Sequence, residues 1–181
     1  MIKITIPPNE LWDDDRQEFI TIKEPIIVPM EHSLVSIHEW EKKWHKPFLK
    51  KFPKKTTEET VSYLACMSLL DDIDPKVFYA IPKSEMERVN AYIEDPMSAR
   101  SRNDAPKSAK RETITAELIY FWMFTYHIPY ECREWHLNSL LSLIELCSIK
   151  NTPPKKMSSA QRYAKYDALN KARRKAYHTK G

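Results

Sequence analysis

The stretch "RETITAELIYFWMFTYH" (residues 111–127), followed after Ile128-Pro129 by "YECREWHLNSLLSLIELCSI" (residues 130–149), decides the fold. Both runs are long and dominated by Leu, Ile and aromatic residues, which predicts two long helices hinged at the proline. As the most apolar pair in the chain, they are expected to form the centre of the core.

Working back from them, "SLVSIHEWEKKWHKP" (33–47) sets Leu34, Ile37, Trp40, Glu41 and Trp44 on neighbouring turns. Ser36 and Glu39 have capping-box spacing and Pro47 ends the run, giving a helix of about ten residues. Beyond the basic loop "LKKFPKK", the run "TTEETVSYLACMSLLDD" (56–72) opens with threonine caps and early acids that suit the positive end of a helix dipole. Val61, Leu64, Ala65, Met67 and Leu69 are expected on its buried side. Asp74-Pro75 predicts a short helix through "KVFYAI", and Ser84 with Glu87 another through "EMERVNAYIED", stopped at Pro96. Residues 97–110, "MSARSRNDAPKSAK", are small and polar and are expected to form a mobile loop.

The first thirty residues instead alternate: "IKITI" (2–6), "EFITI" (18–22) and "IIV" (26–28). That pattern predicts a small antiparallel sheet of two or three strands, with the acidic "NELWDDDRQ" (9–17) as the connecting loop. The expected class is mainly α: a helical domain of about five to six helices, an N-terminal antiparallel β element, and a basic C-terminal tail with helical spacing. The boundaries fall at 1–30, 31–150 and 151–181. Pro153-Pro154 stop the core helix and stiffen the exit of the chain.

The formal charge of +4 over 181 residues hides an asymmetry. From Lys150 onward there are ten Lys and Arg against one acid, Asp167, a net +9; the other 149 residues hold 19 bases and 24 acids, a net −5. An acidic body with a basic tail suits nucleic acid, an acidic protein surface, or another part of one assembly. In the tail, Tyr163, Tyr166, Leu169 and Ala172 recur at roughly helical spacing among cations; alone in water such a helix is marginal, and a partner would order it.

Gly181 is the only glycine. Phosphate loops, dinucleotide-binding turns, nucleophile elbows and EF-hand loops all need glycine where the backbone takes positive φ or approaches a ligand closely, so none of these sites is built here in its usual form. Cys66, Cys132 and Cys147 are odd in number, widely spaced and set in apolar sequence, which predicts reduced core thiols in a cytoplasmic protein. The N-terminus has no basic segment leading into an apolar one, and "LIYFWMFTYHIPY" is too short and interrupted to cross a bilayer, so neither secretion nor membrane insertion is expected.

Few constellations suggest chemistry. His127, Cys132 and His136 resemble metal ligands, but no second cluster completes a tetrahedral set, and such residues on apolar helices belong more often to the core. Glu117, Glu134 and Glu145 could supply paired carboxylates, though acids at such intervals usually form solvated helix faces. His38 and His45 share a face without a nucleophile or orienting partner. Neither a catalytic residue, a metal nor a cofactor is expected. The aromatics Tyr120, Phe121, Trp122, Phe124, Tyr126 and Trp135 could stack bases but pack a core more often. In the tail, Lys155, Lys156, Arg162, Lys165, Arg173, Arg174 and Lys175 could each meet a phosphate; a solubilising end is the plain alternative.

The strings "EHSLVSIHEWEKKWHKPFL" (31–49), "ITAELIYFWM" (114–123), "IPYECREWHLNSLLSLIELC" (128–147) and "IKNTPPKKMS" (149–158), with a basic end closing in "KG", resemble a family of small proteins from the tail-gene region of siphophages, often described as tail assembly chaperones. The resemblance runs with gaps from about Glu31 to the C-terminus, and "EHSLVS", "WHL" and "KNTPPKKMS" are its most distinctive motifs. It implies a non-enzymatic protein of the infected bacterial cytoplasm that coats the tape-measure protein and helps tail-tube subunits polymerise around it. The family offers no catalytic residues to carry over. The expected contact residues are Trp40, Trp44 and His45 of the first helix, for which packing is the plainer alternative, together with the seven tail cations. Self-association, nucleic-acid binding through the tail, and a structural subunit retained in the virion are the competing expectations.

Overall fold

The computed structural model describes residues 1–50, 53–99, 113–151 and 158–178. Its contacts divide the chain into two compact units, Met1–Ser148 and Ile149–Gly181. The architecture is helix-dominated with antiparallel β structure at the N-terminus.

Alternating residues build the first four strands, β1 (Ile2–Ile6), β2 (Asn9–Asp13), β3 (Glu18–Ile22) and β4 (Ile26–Met30). β1 pairs with β4 and β2 with β3, both antiparallel, as two two-stranded sheets. One face of the first pair, Ile4, Ile6, Val28 and Met30, is completely buried, as the period of two requires. The segment expected as a connecting loop therefore contains a strand. Leu11 packs on the core, Trp12 opposes Phe19, and Lys76 bonds two of the acids that argued for a loop, Asp13 and Asp15, while Arg16 of the same segment reaches Asp74 at 2.6 Å.

α1 spans Leu34–Trp44 and buries Leu34, Ile37, Trp40 and Glu41. Its cap is Ser33, with Ser36 closing the box, one turn earlier than the Ser36–Glu39 pairing suggested. α2 (Thr57–Met67) begins at a Thr56–Glu59 capping box and buries Val61, Tyr63, Leu64 and Met67. Leu69 is 54 % exposed rather than buried, because α2 ends at Met67 and the chain turns extended to pair with β4, the Leu69 N–H donating to the Pro29 carbonyl at 2.9 Å. A 3-10 helix, Pro75–Ala80, is capped by Asp74, and α3 (Lys83–Glu94) starts after Pro82, one residue ahead of the expected Ser84. Met97, Ser98 and Ala99 are the described part of the predicted polar loop; its residues 100–110 lie outside the described residues.

The two apolar runs differ most from expectation. The first is helical only as α4 (Ala116–Thr125), with Thr115 as cap. The second opens as a 3-10 helix, Tyr130–Glu134, and α5 begins at Leu137 and ends at Asn151. A continuous helix is interrupted because the Trp135–His136 backbone is drawn to the start of α1: Ser33 and His136 form a β-bridge, and the Leu137 N–H donates to the His32 carbonyl at 2.7 Å. α4 contributes only Ala116, Ile119 and Met123 to the buried set, and α5 Leu137, Leu140 and Ile144. The core is thus shared among β1, β4, α1, α2, α4 and α5 rather than centred on the last pair.

With no glycine inside the chain, left-handed backbone among the described residues falls to Gln17, His45, Met97, His127 and His178. His45 caps α1, His127 follows α4 by two residues, and His178 follows the last helix, α6 (Ser159–Tyr177). Histidine, which tolerates this region better than most side chains, takes the helix-ending role usually given to glycine.

Candidate functional site

α4 is apolar on every side: its sequence AELIYFWMFT holds one charge, Glu117, in the first turn. A helix of that kind is normally enclosed. Here Ala116, Ile119 and Met123 face inward along one stripe, while Phe121 is 61 % and Phe124 69 % exposed. Tyr120 joins the helix to the 3-10 helix behind it, its ring 6.2 Å from that of Tyr130 and 5.7 Å from that of His38. The Arg133 guanidinium lies 4.1 Å over the Tyr130 ring and donates to its hydroxyl at 2.6 Å, fixing a half-exposed aromatic in place. Trp135, at the end of the 3-10 helix, is also exposed. Phe121, Phe124, Tyr130 and Trp135 thus leave large aromatic side chains exposed on or beside these two helices.

The placement of α4 comes from Glu41. One carboxylate oxygen accepts from the Phe48 N–H and the other from the Ala116 N–H, each at 2.7 Å, and the residue is 8 % exposed. Ala116 is the first residue of α4, so the carboxylate also sits at the positive end of that helix dipole. Glu41 was not singled out in the sequence; the available signal was an acid on the same turns as Leu34, Ile37, Trp40 and Trp44.

A second buried polar set joins β4, α3 and the start of α5. Glu31 bonds the N-terminal ammonium and accepts from the Tyr92 hydroxyl at 2.6 Å. His32 and His136 are both buried, with ring centroids 5.1 Å apart. His32 Nδ1 bonds the Tyr63 hydroxyl; His136 Nε2 donates to the Tyr92 carbonyl at 3.0 Å and its Nδ1 accepts from the Asn138 N–H at 3.2 Å. Burial, reinforced by His136, holds His32 down at about 4, and burial likewise lowers His136. Both ring nitrogens of His136 are committed to structural bonds, which accounts for it without a metal; His127 is exposed and Cys132 buried. Among the described residues no three His, Cys, Asp or Glu side chains converge as metal ligands.

The expected contact residues are scattered. Trp40 is 1 % exposed and its indole donates to the Glu59 carbonyl at 2.8 Å, so it belongs to the core and offers no surface. Trp44 is half-buried, stacked on Trp40 and donating to Ser62 Oγ at 3.0 Å. His45 is exposed. Next to it Lys46, Lys50, Lys54 and Lys55 line a cleft of about 360 Å³. Lys155 and Lys156 lie outside the described residues; Arg162, Lys165, Arg173, Arg174 and Lys175 are exposed on α6. Glu117 and Glu134 are exposed and Glu145 half-buried. The surface aromatics Phe121 and Phe124 belong to the cluster assigned to the core; the available signal was that their helix has no polar side to turn outward.

No helix among the described residues is long and apolar enough to cross a membrane. Comparison with protein-family models, with curated proteins and with solved structures finds no match.

Proposed function

We propose that the protein is a non-enzymatic assembly factor of the phage tail chaperone type, acting in the cytoplasm of the infected bacterial host. It binds the tape-measure protein, covers apolar segments of that long helical client, and assists tail-tube assembly. The observation that carries this reading is the exposed aromatic side of α4, Phe121 and Phe124, on a helix that Glu41 holds in place. The resemblance of residues 31 onward to tail assembly chaperones supplies the client. The basic arm adds attraction for acidic stretches of that client, while the aromatic face supplies the apolar area.

Co-expression of the tagged protein with the adjacent tape-measure protein tests this. Soluble tape-measure protein is expected to be recovered at both low and high salt, because apolar burial is insensitive to screening. Deleting residues 153–181 is expected to leave a cooperatively melting body and weaker client recovery. Recovery of nucleic acid alone, lost at high salt, would overturn the reading; loss of cooperative melting would show that the arm belongs to the core.

A further inference from the structure

We infer that α6 is a nucleic-acid-reading helix whose ligand is the major groove of a B-form DNA duplex. The inference assigns the basic arm a ligand of its own, beyond the charge attraction the same arm lends to client binding, and it is tested without the client.

At about 100° per residue, Tyr163, Tyr166, Asn170, Arg173 and Tyr177 recur at steps of three and four and share one face about 80° wide. Arg162 and Arg174 border that face on opposite sides, and Lys165 and Lys171 stand further round, again on opposite sides. All nine are exposed, Tyr163 and Tyr177 by more than three quarters. Asp167, the one acid, pairs with Lys171 at 3.2 Å; the other cations of α6 have no carboxylate partner among the described residues.

The chemistry of the face matches base edges. Asn reads adenine and Arg reads guanine through paired hydrogen bonds, and tyrosine hydroxyls reach phosphates. An α-helix about 10 to 12 Å across fits the B-form major groove, about 12 Å wide, with a phosphate strand on each wall to meet the cations on both flanks. The A-form major groove of duplex RNA is too narrow for the same approach. An acidic protein surface would meet the cations of one flank only, whereas the walls of the groove meet both.

The test uses the full chain and fluorescently labelled duplexes of about 20 base pairs, read by anisotropy between 50 and 200 mM salt. Four flank cations on phosphates predict a log–log slope of about −3.6, roughly a hundredfold loss across that range. The pair R162A/R174A is expected to reduce the slope to about −1.8. The pair N170A/R173A is expected to erase the preference, tenfold or more, for duplexes selected from a random pool over unselected ones. The inference is overturned if no sequence is preferred, if duplex RNA binds equally, or if poly-glutamate of similar length displaces the DNA. The last outcome would make α6 an arm for acidic protein. Circular dichroism of each variant, expected to match the parent, confirms that the exposed substitutions leave the fold intact.

Discussion

Replacing Glu41 by Ala is expected to destabilise the body by about 3 to 5 kcal/mol, more than any substitution at a surface acid. The side chain is nearly inaccessible, and its two oxygens each satisfy a backbone N–H, of Phe48 and of Ala116. Alanine leaves both donors without a partner, and each buried unpaired donor costs about 1 to 3 kcal/mol. Helix α4 also loses the carboxylate at its first turn. Gln at the same position keeps one acceptor and turns its amide group toward the second N–H, so about half the loss is expected. Urea unfolding at neutral pH, followed by far-ultraviolet circular dichroism, gives the comparison, with the exposed E117A as reference. Against a typical total of about 5 to 15 kcal/mol, E41A stands close to unfolding. A value within about 0.5 kcal/mol of E117A would show that α4 is held by something other than this bridge.

Mild acid is expected to have the second large effect. The folded chain holds His32 at about 4, below its ordinary 6.5, and lowers His136 in the same direction. For a base whose folded pKa is depressed, the unfolded chain takes up the proton first, so stability is lost as pH falls from 6.5 toward 4. Between pH 6.5 and 5, His32 alone accounts for about 1.5 kcal/mol. Structurally, a proton on His32 makes both ring nitrogens donors, one of them facing the Tyr63 hydroxyl, and sets a charge beside the His136 ring. Glu31 and the N-terminal ammonium also face this set and oppose one another in their effect. Asp13 and Glu59, both held below their ordinary values, withdraw stability only at lower pH, so the upper window reports the histidines. Urea midpoints at pH 7, 6 and 5 for the parent and for H32N, whose amide does not titrate, should show a steep fall for the parent and a flatter one for the variant. Parallel curves would refute the assignment.

Local signals were legible: the threonine cap and early acids before α2, the Asp74-Pro75 start and Pro47 after α1 rest on contacts within a few residues, and the alternation of β1 and β4 is written in each strand itself. Partners distant in the chain were not. Glu41 finds Ala116 across 75 positions, and Asp13 finds Lys76 across 63, which turned an apparent acidic loop into a strand. The same limit affected the apolar runs, because hydrophobicity says that a residue prefers burial without saying that the core has room. Trp40 was claimed by the core, and Phe121 and Phe124 were left outside it. The break at Trp135–His136 came from backbone pairing with Ser33, which no periodicity in residues 130–149 encodes.

The proposed function places the client on the exposed side of α4. It is tested most directly by the quantity of soluble tape-measure protein recovered with F121S/F124S relative to the parent, measured beside the thermal midpoint of the variant. Removing two exposed phenyl rings from a contact is expected to cost about 2 to 4 kcal/mol of binding, roughly 30-fold or more in affinity, while the midpoint stays level or rises. Client recovery should then collapse in a protein that remains folded. Undiminished recovery from the doubly substituted protein would contradict the account.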